Sequence, residues 1–152
     1  EFELHFQPQL GAGSRRLEGA EALIRWRHPQ LGLVPPVRFI ALAEETGLIK
    51  PIGDWVLHEA CRQLAAWDRE GVRVPRLAVN LSPRQFGQPS LPAKVAGALQ
   101  AAGLAPERME LEITESVAMD EAGGMVDMLR RLQQLGVYLS IDDFGTGYSS
   151  LS

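Results

Sequence analysis

The chain has 152 residues, 45% of them hydrophobic and 22% charged, with a formal net charge of -4. That is the length of one globular domain, with enough apolar side chains for a core. The acidic balance excludes a protein that coats DNA or RNA, which takes basic patches, while leaving room for a small nucleotide held through a metal. Cys61 is the sole cysteine, so no internal disulfide can form and a reducing, cytoplasmic setting is expected. No apolar run approaches the roughly 20 residues that span a bilayer. The opening EFELHFQPQL lacks the basic and apolar regions of a signal peptide. The chain does not begin with Met and is expected to be a piece of a longer protein.

In chain order, residues 3–10 alternate apolar and polar like a strand, and GAGS at 11–14 predicts a hairpin into a second strand over 16–27. Residues 28–36, rich in Pro and Gly, are expected to form a loop. A helix follows near 37–46, stopped by Gly47. A longer helix covers 52–70, with Val56, Leu57, Ala60, Cys61, Leu64 and Trp67 at three- and four-residue spacing. Then come a strand at 76–82, a helix at 91–102, a strand at 108–114, a helix at 122–136 and a strand at 137–142. After the hairpin, strands and helices alternate, which predicts βαβ units around a parallel sheet. An α/β barrel and an open doubly wound sheet are the two possible closures, and the placement of the polar side chains favours the barrel.

Side chains alternate across a strand with a period of two. Leu77, Val79 and Leu81 share one face, opposite Ala78, Asn80 and Ser82. Met109, Leu111 and Ile113 oppose Glu110, Glu112 and Thr114. Val137, Leu139 and Ile141 oppose Tyr138, Ser140 and Asp142. Ala20, Ala22, Ile24 and Trp26 oppose Gly19, Glu21, Leu23 and Arg25. Each strand thus has an apolar face for helices and an opposite face carrying oxygen. In α/β barrels the active site lies at the C-terminal ends of the strands. Glu21, Asn80, Glu112 and Asp142 are therefore expected to converge at one mouth. Oxygen ligands without His or Cys suit Mg²⁺ or Mn²⁺ rather than structural zinc. Asp143 has the opposite parity and joins the site only if the backbone leaves regular strand geometry, which the glycines of FGTG permit.

The remaining polar residues are less pointed. Glu110 shares the parity of Glu112 but is not expected to reach the mouth. Glu115 lies past its strand and either braces a loop or caps the next helix. Arg25 shares the face of Glu21, where it meets either a phosphate or one of the acids. His5, His28 and His58 form no metal-spaced pair, and Cys61 lies on an apolar helix face. No G-x-S-x-G is present, and Ser82, Ser149 and Ser150 have no partnered His, so serine nucleophile chemistry is not expected.

Four segments, EALIRWRHP (21–29), LAVNLSPRQF (77–86), LEITES (111–116) and IDDFGTGYSSL (141–151), resemble in order and spacing the EAL-domain cyclic di-GMP phosphodiesterases of bacteria. FQPQL (6–10) and AEETGLI (43–49) are similar to that family's opening strand and second helical region, so the resemblance covers essentially the whole chain. It implies a modified TIM (β/α)8 barrel with an antiparallel first strand. By similarity, Glu21, Asn80, Glu112 and Asp142 are metal ligands, with Asp143 serving a second metal. Glu115 holds the loop that carries DFGTGYSS. Leu23 and Arg25 contact the nucleotide, Arg25 at a phosphate, and Gln7 lines the site. The implied reaction is hydrolysis of one phosphodiester bond of cyclic di-GMP to the linear dinucleotide, with two metals activating water and stabilising the leaving oxygen.

A full (β/α)8 barrel takes about 250 residues, so residues 1–152 are expected to be an EAL domain cut short on its C-terminal side. The family's later Lys-x-Asp motif, a further glutamate and a late glutamine have no counterpart here; Lys50 and Lys94 match neither. The isolated chain is therefore expected to turn over little, and its open edges to drive a homodimer or larger assembly. Sensory or diguanylate cyclase domains are expected in the parent protein. A catalytically silent receptor for the dinucleotide and a dimerisation scaffold are the competing readings. The retained acids, which repel one another without metal, weigh against the scaffold.

Overall fold

The computed structural model describes residues 1–118 and 124–142. Strands β1 (Phe2–Leu10) and β2 (Leu17–His28) form the expected antiparallel hairpin, with Gln7 opposite Glu21, His5 opposite Leu23 and Glu3 opposite Arg25. The turn between them closes through Gly11 N–H to Arg16 O and Arg15 N–H to Gly11 O, both 3.0 Å. A short strand, β3 (Gly32–Val34), pairs antiparallel with the end of β2. It lies within the stretch expected to be loop. Three residues are too few to show a period, and only pairing with Trp26–His28 makes them a strand.

Helix α1 (Pro36–Thr46) begins on a proline, whose missing N–H is no loss in a first turn, and ends at Gly47 with φ 79°. Helix α2 (Ile49–Arg69) starts three residues earlier than its periodicity predicts, because Pro51 sits in its first turn and is tolerated there. Strand β4 (Leu77–Leu81) is followed by a one-turn helix, α3 (Pro83–Phe86), so Ser82 is a helix cap rather than a strand residue. Then come α4 (Leu91–Ala102), a 3₁₀ turn at Pro106–Arg108, β5 (Met109–Thr114), the short α5 (Glu115–Ala118), α6 (Gly124–Leu135) and β6 (Tyr138–Asp142).

The sheet runs β1-β2-β4-β5-β6, with β2, β4, β5 and β6 mutually parallel. Its helix-side face carries the core. Ala20, Ala22, Leu77, Val79, Leu81, Met109, Leu111 and Ile113 pack against Val56, Leu57, Ala60, Cys61 and Leu64 of α2, Val95 and Leu99 of α4, and Met128 and Leu132 of α6. These are the apolar faces that strand alternation and helical spacing assign. Cys61 is buried among them, and burial pushes its thiol up to about 11. Ion pairs staple the periphery: Lys94 Nζ reaches both oxygens of Asp54 (2.8 and 2.7 Å) and ties α4 to α2, and Arg108 forks onto Asp68 at 2.9 Å. No described helix is long and apolar enough to cross a membrane.

Leu111 is wholly buried in the central strand β5. Leu111→Ala is expected to cost about 2–5 kcal/mol, read as a lowered urea midpoint with an unchanged slope.

Candidate active site

Parallel register decides which side chains meet. Glu21 stands beside Ala78, Asn80 beside Glu112, Glu112 beside Ser140 and Thr114 beside Asp142. Since alternate residues share a face, Glu21, Asn80, Glu112 and the Asp142 position lie on the face opposite the helices, the last three toward the C-terminal ends of β4, β5 and β6 and Glu21 where β2 pairs with β4. Gln7 joins the face from β1, opposite Glu21. The first contact between members is direct: Asn80 Nδ2 donates to Glu21 Oε1 at 2.8 Å. Asp142 is placed by its backbone in β6. Asp143 and the DFGTGYSS loop lie outside the described residues. Glu115 opens α5 immediately after β5.

Beside this row lies a cavity of about 630 Å³. Gln7, Glu21, Leu23, Arg25, Asn80 and Thr114 contribute to its wall, and Glu112 does not. The cavity forms because β2 pairs with β4 only over Ala20–Ala22, leaving Leu23–Arg25 beyond the pairing. Its apolar side is built by Ile40 of α1 and Ile49, Ile52 and Val56 of α2. A second wall comes from Ser82, Pro83 and Gln85 beyond β4. The sequence reading missed Gln85, although its Ser-x-x-Gln spacing with Ser82 is the signature of a reciprocal helix cap.

Arg25 shows how the charges are shared out. Glu3 stands opposite it, yet Glu3 is taken by Arg27, whose Nε and Nη2 reach its two oxygens at 3.0 and 2.7 Å. Arg25 forms no ion pair with a described carboxylate; its Nη1 donates to the Ile24 carbonyl at 2.9 Å. A half-buried guanidinium on a cavity wall, with no ion-pair partner among the described carboxylates, is suited to an anionic ligand. At the other end of the same face the charges are settled internally. Arg76 Nη1 meets Glu110 Oε2 at 2.9 Å and lies 3.8 Å over the Tyr138 ring. Glu110 therefore belongs to the barrel floor, not to the mouth. The histidines stay outside the acid row: His5 bonds Glu3, His28 Nδ1 accepts from Gln30 N and Leu31 N, and His58 Nδ1 lies 2.9 Å from the Asp54 carbonyl.

A family model described as the EAL domain matches residues 1–152. The chain belongs to the EAL-domain family. It is 50% identical over 148 residues to the bifunctional diguanylate cyclase/cyclic di-GMP phosphodiesterase MucR of Pseudomonas aeruginosa, covering 97% of this chain and 22% of that protein. It is 48% identical over 152 residues to the cyclic di-GMP phosphodiesterase NbdA of the same organism, covering 100% of this chain and 19% of that protein. Among solved structures, the PaMucR phosphodiesterase in complex with c-di-GMP superposes with a TM-score of 0.91 at 49% identity, over 98% of this chain and 60% of that one. The chain thus spans about a fifth of these curated relatives. The likeness identifies the sheet of this EAL domain as the N-terminal portion of a TIM-like barrel with an antiparallel first strand, rather than an open doubly wound sheet.

The Arg27 fork and the His5 hydrogen bond hold the Glu3 carboxyl down at about 2, from an ordinary 4.5. A lowered carboxyl stabilises the folded state above its ordinary range, and that contribution fades as pH falls from about 4.5 toward 2. In Arg27→Gln the Glu3 midpoint, followed by carboxyl-carbon NMR, is expected to rise toward the ordinary value.

Proposed function

We propose that this EAL domain takes part in hydrolysing cyclic di-GMP to the linear dinucleotide. The observation that carries the reading is the row of oxygen donors at the strand ends, joined by the Glu21–Asn80 contact and flanked by an Arg25 with no described carboxylate partner. The similarity to MucR and NbdA, named for cyclic di-GMP hydrolysis, and to the c-di-GMP complex supports it.

The donor set fits Mg²⁺ or Mn²⁺. Glu21, Asn80, Glu112 and Asp142 offer only hard oxygen, from carboxylates and one carboxamide. Among the described residues no three His, Cys, Asp or Glu side chains cluster as a metal site, and in this reading Asn80 joins the carboxylates. In this reading Glu21, Asn80, Glu112 and Asp142 hold metal, Asp143 serves a second one, and Glu115 holds the loop that follows β6. Divalent ions held there would supply an activated water and stabilise charge on the attacking and leaving oxygens. Arg25 holds a phosphate of the substrate, and Leu23 with the apolar cavity wall takes the flat, uncharged part of the nucleotide. Gln7 completes the wall on the β1 side. The setting is cytoplasmic, and further sensory or cyclase domains accompany this one in the parent protein, consistent with the small share of MucR and NbdA that the chain covers.

The test incubates the parent protein with cyclic di-GMP and Mg²⁺ or Mn²⁺ and reads the linear dinucleotide by chromatography. Glu21→Gln is expected to lower turnover by at least about 100-fold, a scale that changes to groups merely supporting a ligand already reach. Arg25→Ala is expected to weaken dinucleotide binding about 10- to 100-fold, the worth of one charge-assisted hydrogen bond. Turnover unchanged by Glu21→Gln would overturn the reading. Binding without turnover in the parent protein would make the domain a receptor instead.

Among the described residues β1 pairs only with β2 and β6 only with β5, and unpaired edges invite another chain. The isolated 152-residue chain is expected to sediment as a dimer or larger species; a clean monomer at 16.7 kDa would contradict this.

A further inference from the structure

Among the described residues, Gln85 is the one buried polar or charged side chain, 4% exposed, and it stands at the site rather than in the distant core. It belongs to α3, the single turn that begins three residues after Asn80. Its side-chain Oε1 accepts from Ser82 N–H at 3.2 Å, while its own N–H donates to Ser82 Oγ at 3.3 Å. The two bonds clip the backbone where it leaves β4. A four-residue helix has almost no stability of its own, so a buried amide is an expensive device if its only purpose is to cap that turn.

The seat of Gln85 is equally specific. A Cβ added at Gly53 of α2 would overlap the Gln85 Nε2 and Cδ atoms. Gly53 lies inside a 21-residue helix, where glycine is the least favourable residue after proline. It has no positive φ to explain it, so close approach of the Gln85 carboxamide does. Gly53, Gln85 and Asn80 all contribute to the same cavity wall.

We propose that Gln85 is a positioning residue: seated on Gly53 and bonded to Ser82, it fixes the end of β4 so that the Asn80 carboxamide meets Glu21. The inference rests on the metal-ligand reading of Asn80 and Glu21 but goes beyond it, since it gives Gln85 a role exerted through Asn80. The Gly53–Gln85 contact makes α2 the reference against which the Asn80 strand end is set. Gln85→Met keeps the volume and removes the acceptor, and Gly53→Ala removes the seat.

Three readings test it: Mn²⁺ affinity by electron paramagnetic resonance, the Asn80 side-chain amide signal by NMR, and the thermal midpoint. Gln85→Met is expected to weaken Mn²⁺ about 10-fold at a temperature where the protein is fully folded. The Asn80 amide signal shifts with it, toward that of an unbonded carboxamide. Gly53→Ala behaves alike, and Gly53→Ala with Gln85→Ala is no worse than Gln85→Ala alone, because the overlap is gone. A lowered midpoint with Mn²⁺ affinity and the Asn80 signal both unchanged would reduce Gln85 to a stability element and overturn the proposal. A wild-type protein that binds no Mn²⁺ would overturn the metal reading instead; the Asn80 signal would still decide for or against Gln85.

Discussion

The constraint on which this structure depends is the shared register of four parallel strands. Because Asn80 stands beside Glu112 and Thr114 beside Asp142, one choice of parity decides every face at once. A slip of a single residue in β5 would turn Leu111 and Ile113 away from the helices and send Glu112 into the core. The fully buried side chains of Leu77, Val79 and Leu111 therefore do more than add apolar burial. They make any other register expensive, and so they hold the oxygen donors at the mouth. Stability and site are set by opposite faces of the same strands.

The same register separates the two ends of the inner face chemically. At the floor, Arg76 neutralises Glu110 and covers the Tyr138 ring. At the mouth, Glu21 is met by a neutral amide and forms no described ion pair, while Arg25 is left aside by the pairing of Glu3 with Arg27. An acid and a guanidinium that face the same cavity without pairing cost stability compared with a closed ion pair. Such departures from local consistency mark places shaped for something other than folding.

Most of this was legible in the sequence because strand parity is a local code. The order of strands and helices, the apolar faces and the row Glu21, Asn80, Glu112 and Asp142 all follow from periods of two and 3.6. What escaped was whatever depends on a distant partner. β3 exists only because Trp26–His28 offers it an edge. Helix α2 starts before its apolar periodicity because Pro51 is harmless in a first turn. Arg25 could have paired with an acid or met a phosphate, and only the geometry of Arg27 on Glu3 removes the acid opposite it. Closure as a barrel rests on likeness to solved EAL structures, since alternating elements suit an open sheet equally well.

Gln85 joins both kinds of information. Its Ser-x-x-Gln spacing is local and readable, and by itself says only that a helix begins. Its burial against Gly53 is nonlocal and turns a cap into a tie between α2 and the end of β4. The core helix α2 thus contributes twice to the mouth. Ile49, Ile52 and Val56 supply the apolar cavity wall, and the missing side chain at Gly53 supplies the seat for the turn behind Asn80. A row of oxygen donors drawn from separate strands needs a common rigid reference if its members are to hold their spacing. The 21-residue α2, the longest described helix, packs on the sheet's buried face, and the chain uses a gap in its surface, rather than a side chain, to make the connection.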